Sequence, residues 1–309
     1  MLHANTTAPE RHGRKVLRGV LDLRPVPAVA GHHAPAVSQD AAALTAAAKI
    51  FKFRTVDYPG AAMSLVFNRS GSAAVGVLAF DPGSPTSPNT AFTFIDGDYR
   101  LLAVPSSTMS IATAINGSGL IAGVYQDRNG VTRGFAKDGE VYTTVDFPGA
   151  HSTQVIGLNE AGDMVGDYLD ALSVEHGFVK TGGAFTPIDV PGATGTGVTS
   201  INGAGDIVGV FSDASGSHGF LLKGGDLTTI DFPGATGTSA FGLNDSGEIA
   251  GFYTDPTGHN HGFILADGAF STIDVAGAAS TLVTRIENDG AIAGVFIDAL
   301  NEQHGLLGE

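Results

Sequence analysis

The chain of 309 residues has no cysteine and no tryptophan. Without cysteine there can be no disulfide, no thiolate nucleophile and no cysteine-ligated metal site. Basic residues are also scarce: 16 Lys and Arg stand against 31 Asp and Glu, a formal net charge of −15. Six of those basic residues (Arg11, Arg14, Lys15, Arg18, Arg24, Lys49) fall in the first fifty positions with only three acids, so the remainder carries ten basic against 28 acidic residues. A surface of that sign repels phosphate backbones, which excludes nucleic acid as a partner. No run approaches the roughly 18 apolar residues of a membrane span. The basic patch at 14–18 is followed by no apolar stretch before Pro25 and Pro27, so there is no clear secretory signal. Residues 1–49, rich in Ala, Pro and His and without periodicity, read as a disordered or leader segment.

What the chain has in excess is glycine, 44 residues of it, and glycine falls in a pattern. From Phe51 onward one unit of about 43 residues recurs. Its anchor Asp stands at Asp57, Asp146, Asp189, Asp231 and Asp274, with Ala103 in the slot of a degenerate copy, at spacings of 46, 43, 43, 42 and 43. Within a unit such as Thr238–Gly277, Asn-Asp-Ser-Gly, Asp-Pro-Thr-Gly and Ala-Asp-Gly turns separate four short runs of strand-forming residues. The Pro-Gly-Ala-Thr-Gly-Thr stretch then leaves the ladder, because proline cannot donate a strand hydrogen bond. A period of this length made of short strands indicates a propeller. The expected fold is all-β: one six-bladed β-propeller over residues 50–309, with four-stranded antiparallel blades. Its first strand, Phe51–Asp57, has the character of a fourth strand, and the last unit stops after its third. The N-terminal strand should therefore close the last blade, which removes an unpaired edge.

The segments Gly242–Leu265 and Ile201–Leu222 resemble the HAF family of bacterial extracellular repeats, which couples an Asn-x-x-Gly hairpin to a His-Ala-Phe strand; here that strand reads His-Gly-Phe at 176–178, 218–220 and 261–263. The resemblance covers 51–309 and implies a secreted or periplasmic propeller. A cytoplasmic location is the alternative. The family supplies no catalytic residues, because it names a repeat and not a reaction.

The conspicuous residues recur, and recurrence favours architecture. His176, His218, His261 and His304 open the third strands, with Arg133 in that place in the second unit. Strands spaced about 4.8 Å put these side chains far off the axis and far from each other, whereas zinc ligands stand about 2 Å from one ion. No shared metal and no cofactor is expected; each His should lock its own blade through the Asp residues ending its second and fourth strands. Function should lie where the repeat is broken. Asp167 replaces the apolar residue that follows the second-strand glycine elsewhere. Glu287 replaces a hairpin Asn, and Arg285 lies two residues before it, placed to form an ion pair. His151 occupies a crossing between blades, and His259 lengthens a turn. The Pro- and Ser-rich stretch Phe80–Asp98 reads as a loop, with Asp81 and Asn89 on it.

Motifs for serine hydrolases, zinc peptidases, phosphate loops, dinucleotide folds and EF-hands are absent. The chain is expected to be a monomeric binding module that takes a glycan, peptide, protein or small molecule at the face of the crossings and second-to-third-strand turns. His151, His259, Asp81, Asn89 and Arg133 are the candidate ligand contacts. The alternative is a lyase or hydrolase with His151, Asp167 and Arg285 at the channel mouth.

Overall fold

The computed structural model of the protein describes residues 53–55, 58, 61, 63–79 and 89–308. Asp57, Asp81 and the segment 1–49 lie outside the described residues. The described chain is all-β: its regular structure consists of 24 strands, and among the described residues there is no helix.

Four separate four-stranded antiparallel sheets run in chain order. The one nearest the consensus comprises Gly237–Leu243, Ile249–Thr254, Asn260–Ala266 and Ala269–Ile273. The other three begin at Ser107, Ser152 and Gly195. The remaining eight strands form two further meanders. One runs Met63–Ser70, Ala73–Ala79, Thr90–Ile95 and Asp98–Leu101. The other runs Ser280–Ile286, Ile292–Ile297 and Gln303–Gly308 and is completed by Phe53–Thr55. A single parallel bridge, Ser64 to His304, links these two. The expected N-terminal strand is thus present: Phe53 pairs with Gly308 and Thr55 with Leu306, antiparallel. First strands of successive meanders touch one another, and the first strand of the last meander touches that of the first.

The stretch Phe80–Asp98 departs from expectation. Thr90–Ile95 is a strand, not part of a loop, because Phe92 fills the slot of the His-Gly-Phe aromatic and is fully buried. Thr90 takes the histidine slot and Ala91 the glycine slot.

Each first strand carries a bulge at the same place, between Val66 and Asn68, Ala112 and Ala114, Val155 and Gly157, Val198 and Ser200, Ala240 and Gly242, and Val283 and Arg285. A bulge bends the strand and re-aims its side chains. Three of the bulged residues then reach the neighbouring sheet: the hydroxyl of Thr113 donates to the Val155 carbonyl at 2.7 Å, Thr199 to Ala240 at 2.8 Å and Thr284 to Phe67 at 3.2 Å. The second-strand glycines stand where no side chain fits; a Cβ on Gly251 would lie 2.0 Å from the Ser239 carbonyl oxygen and 2.9 Å from the Phe263 ring. Phe92, Phe135, Phe178, Phe220 and Phe263 fill the sheets' centres at no more than 1% exposure, so truncating any of them costs about 3–5 kcal/mol.

The hairpin asparagines do two jobs. The Asn202 side-chain oxygen accepts from the amides of Ala204 and Asp206 at 3.1 and 2.9 Å, closing its own turn, while its amide nitrogen donates to the Asn244 carbonyl of the next sheet at 3.3 Å. Asn116, Asn159 and Asn244 do likewise toward Asn159, Asn202 and Glu287. The result is a belt of inter-sheet hydrogen bonds.

The histidines lock single sheets. His218 Nδ1 lies 2.7 Å from Asp231 and Nε2 3.4 Å from Asp213; His261 lies 3.1 Å from Asp274 and 3.4 Å from Asp255. His176 lies 2.7 Å from Asp189, whose hydrogen bond raises its proton affinity against the opposing effect of burial. Each ring also stacks on a second-strand aromatic, as His176 does on Tyr168 at 5.1 Å. Arg133 performs the same task in its sheet, bonding Asp127 at 3.1 Å and also Asp146.

Candidate functional site

First strands converge at their C-terminal ends, and there each sheet contributes one residue just before its hairpin. In five sheets that residue is apolar and buried: Ile115, Leu158, Ile201, Leu243 and Ile286. In the first it is Arg69, 9% exposed. The next position holds Asn in four sheets, Ser70 in the first and Glu287 in the last. All of these but Asn116 line a recess of about 40 Å³ that opens to solvent, rimmed further out by Glu160, Asp245 and Asn288.

Three of the charged residues, Arg69, Arg285 and Glu287, come from the adjoining first and last sheets. Arg285 Nε lies 3.4 Å from Glu287, the ion pair expected from their spacing, with both side chains largely buried. The arginine's Nη1 donates to Ser200 Oγ at 3.0 Å, two sheets away. Gly242 of the intervening sheet lets the two first strands come close: a Cβ there would stand 2.9 Å from the Arg285 Cα. Burial raises the proton affinity of Glu287, and Arg285 and Arg69 oppose it. Four of the hairpin asparagines spend their side chains on the belt, but Glu287 has no donor to continue it. It is free of that duty and faces the recess with two guanidinium groups. The rim is itself braced: Asp245 accepts from Gly203 N at 2.7 Å and Glu160 from Gly117 N at 3.0 Å.

This recess lies at the end of the strands opposite the crossings and second-to-third-strand turns where ligand contacts were expected. The other candidates are scattered. His151 is exposed in a crossing, its amide donating to the Leu169 carbonyl at 2.8 Å. His259 is exposed in its turn, Nδ1 2.8 Å from Thr257 Oγ1. Asn89 precedes a third strand and accepts from Ser110 N at 3.0 Å. Arg133 belongs to a sheet lock. Asp167 is buried between the third and fourth meanders. The structure therefore does not bring His151, Asp167 and Arg285 together. Asp298, Glu302 and His304 place three ligand-type atoms within 4.8 Å of one another at the exposed start of the last strand. Among the described residues no helix is long and apolar enough to cross a membrane.

Sequence reasoning missed Arg69. The first hairpin is shorter than the others, Ser70 being followed at once by a left-handed Gly71, so counting from the turn misaligns the strand. Counting from the mid-strand glycine, Gly76, would have put Arg69 in the apolar slot.

No family model and no curated protein matches the chain. Solved structures do, at low identity. TolB from Acinetobacter baumannii is 10% identical with a TM-score of 0.57, over 77% of this chain and 64% of that one. A triple-arginine mutant of AofleA from Arthrobotrys oligospora is 12% identical with a TM-score of 0.51, over 82% and 85%. The β-propeller domain of the Trilobed protease from Pyrococcus furiosus, described as having an open velcro topology, is 12% identical with a TM-score of 0.50, over 80% and 95%. The chain shares its fold with such propellers.

Proposed function

We propose that the protein is a six-bladed β-propeller acting as a secreted or periplasmic binding module, and that its ligand is a glycan held in the hairpin-end recess. The observation that supports this is that Arg69, Arg285 and Glu287 line the recess from the adjoining first and last sheets, where the asparagine belt is interrupted. Architecture explains the residues that recur; these three do not recur. A guanidinium beside a carboxylate presents several donors and acceptors close together, which suits vicinal hydroxyls that both donate and accept. The recess is small, about 40 Å³, so it would take one part of the glycan, and its polar lining selects a polar occupant. The location rests on the resemblance to extracellular repeats.

A second reading, a lyase or hydrolase, draws on Glu287 alone, an acid whose proton affinity burial raises against the opposing charge of Arg285.

The test is an oligosaccharide array probed with the wild type and with the double variant Arg285→Gly/Glu287→Asn, which installs the residues of the fifth meander, Gly242 and Asn244. The expected result is that a subset of glycans binds and that the variant, melting normally, loses about tenfold or more in affinity, equivalent to about 1.4 kcal/mol. Binding untouched by the double change, or no glycan bound, sinks the proposal. Cleavage of a bound glycan by the wild type and not by the variant establishes the enzymatic reading instead.

A further inference from the structure

Away from the recess, four departures from the repeat meet at the seam between the third and fourth meanders. Asp167 stands where the other sheets have Val77, Val124, Val210, Phe252 and Val295. Gln154 pairs with it across the strands and donates to its Oδ1 at 3.0 Å. Glu175 opens the next strand. Because Leu169 pairs with Glu175 and Asp167 with Gly177, both carboxyl groups leave the sheet on one face, toward the fourth meander. Gly197 of that meander's first strand receives them: a Cβ there would lie 3.4 Å from Glu175 Oε1 and 3.9 Å from Asp167 Oδ2. The corresponding residues of the first, second and sixth meanders, Leu65, Ile111 and Leu282, are buried and apolar.

No other blade needs this arrangement, and it conflicts with packing. A buried carboxylate facing another is costly when both are ionised. The elements packed around Asp167 offer no compensating cation. On its own strand Tyr168 points to the opposite face. On the third strand His176 stacks on Tyr168 and Lys180 lies over the Phe185 ring. The first strands 152–158 and 195–201 and the second strand 207–212 carry no ionisable side chain. Glu175 alone faces it. Burial and then the Glu175 charge raise the proton affinity of Asp167 well above the ordinary, with the Gln154 hydrogen bond opposing, and burial raises that of Glu175.

We infer that the seam between the third and fourth meanders is a proton-operated latch: with a proton on Asp167 the two sheets pack closely through Gly197, and its loss sets two carboxylates against each other and loosens the seam. The folded state holds this proton more tightly than the unfolded chain. The seam is therefore fully stable below about pH 4, the ordinary carboxyl value, and loses stability as pH rises through the higher folded value.

Hydrogen exchange on the wild-type protein, normalised for intrinsic rates, tests this directly. From pH 4.5 to 7.5 the amides of 195–201 should lose about tenfold or more in protection relative to the equivalent amides of 237–243. In parallel, thermal melts of Asp167→Asn and Glu175→Gln are compared with the wild type over the same range. Each variant should gain in relative melting temperature as pH rises. Equal pH dependence of protection in the two strands overturns the inference, as does a variant-minus-wild-type difference that stays constant with pH.

Discussion

Asn202→Asp isolates one half of a two-sided residue. The substitution keeps the oxygen that accepts from Ala204 and Asp206 and deletes the nitrogen that donates to the Asn244 carbonyl. Losing that hydrogen bond costs about 0.5–1.5 kcal/mol, and a carboxylate at a site only 4% exposed adds about 1–3 kcal/mol for its desolvation. The total is about 1.5–4.5 kcal/mol at pH 7, or roughly 3–9 °C in Tm for a chain of this size. Asn202→Ala removes all three contacts and should cost at least as much. Burial raises the new carboxyl's proton affinity in the folded state, so its penalty is present above the folded value and fades as pH falls toward about 4, where the protonated acid again has a donor. Urea unfolding of both variants at pH 7 and pH 4.5 is the assay. An Asp variant within about 0.5 kcal/mol of wild type at pH 7, or a deficit that does not shrink on acidification, would refute the claim that the belt bonds sheet to sheet.

Gly251→Ala should be among the most damaging single-methyl additions. Its Cβ would meet the Ser239 carbonyl at 2.0 Å, and relief requires separating two strands, so a loss of about 3 kcal/mol or more is expected in chemical denaturation. His176→Gln probes a sheet lock: the charged pair with Asp189 contributes fully below the ordinary His value of about 6.5 and is lost as pH rises through the elevated folded value. Melting curves should show wild type exceeding the variant most near pH 6 and converging with it by about pH 9; a gap that is flat with pH counts against a charged lock.

Much of the fold was legible because its determinants are local and repeated. An Asn three residues before a left-handed Gly marks four of the hairpins, and a His thirteen residues before an Asp marks three of the sheet locks. The last meander's missing fourth strand pointed to Phe53–Thr55. The strand Thr90–Ile95 was hidden because Thr90 and Ala91 stand in for His and Gly, and only Phe92 keeps the consensus. The site was less legible, for geometrical reasons. Which end of the strands opens into a recess depends on how six bulged strands converge, and one unit's sequence carries no trace of that. Asp167 stood out alone, yet its partner was within reach: two residues before the end of one strand and the opening residue of the next share a face in an antiparallel pair, so Glu175 belonged to the same observation.

The pairing of Phe53–Thr55 with Gln303–Gly308 joins residues about 250 positions apart. During synthesis five meanders can form as they emerge, each from contiguous chain, while the last waits until Gln303–Gly308 has been made. Until then the N-terminal strand has no edge to join and the growing sheets have no return contact. Contacts this distant slow folding, because loop-closure entropy must be met before they form. The last step of assembly is therefore a single, late docking event. A chain interrupted before Gln303 would retain most of its hydrogen bonds and still present open strand edges to whatever lies nearby.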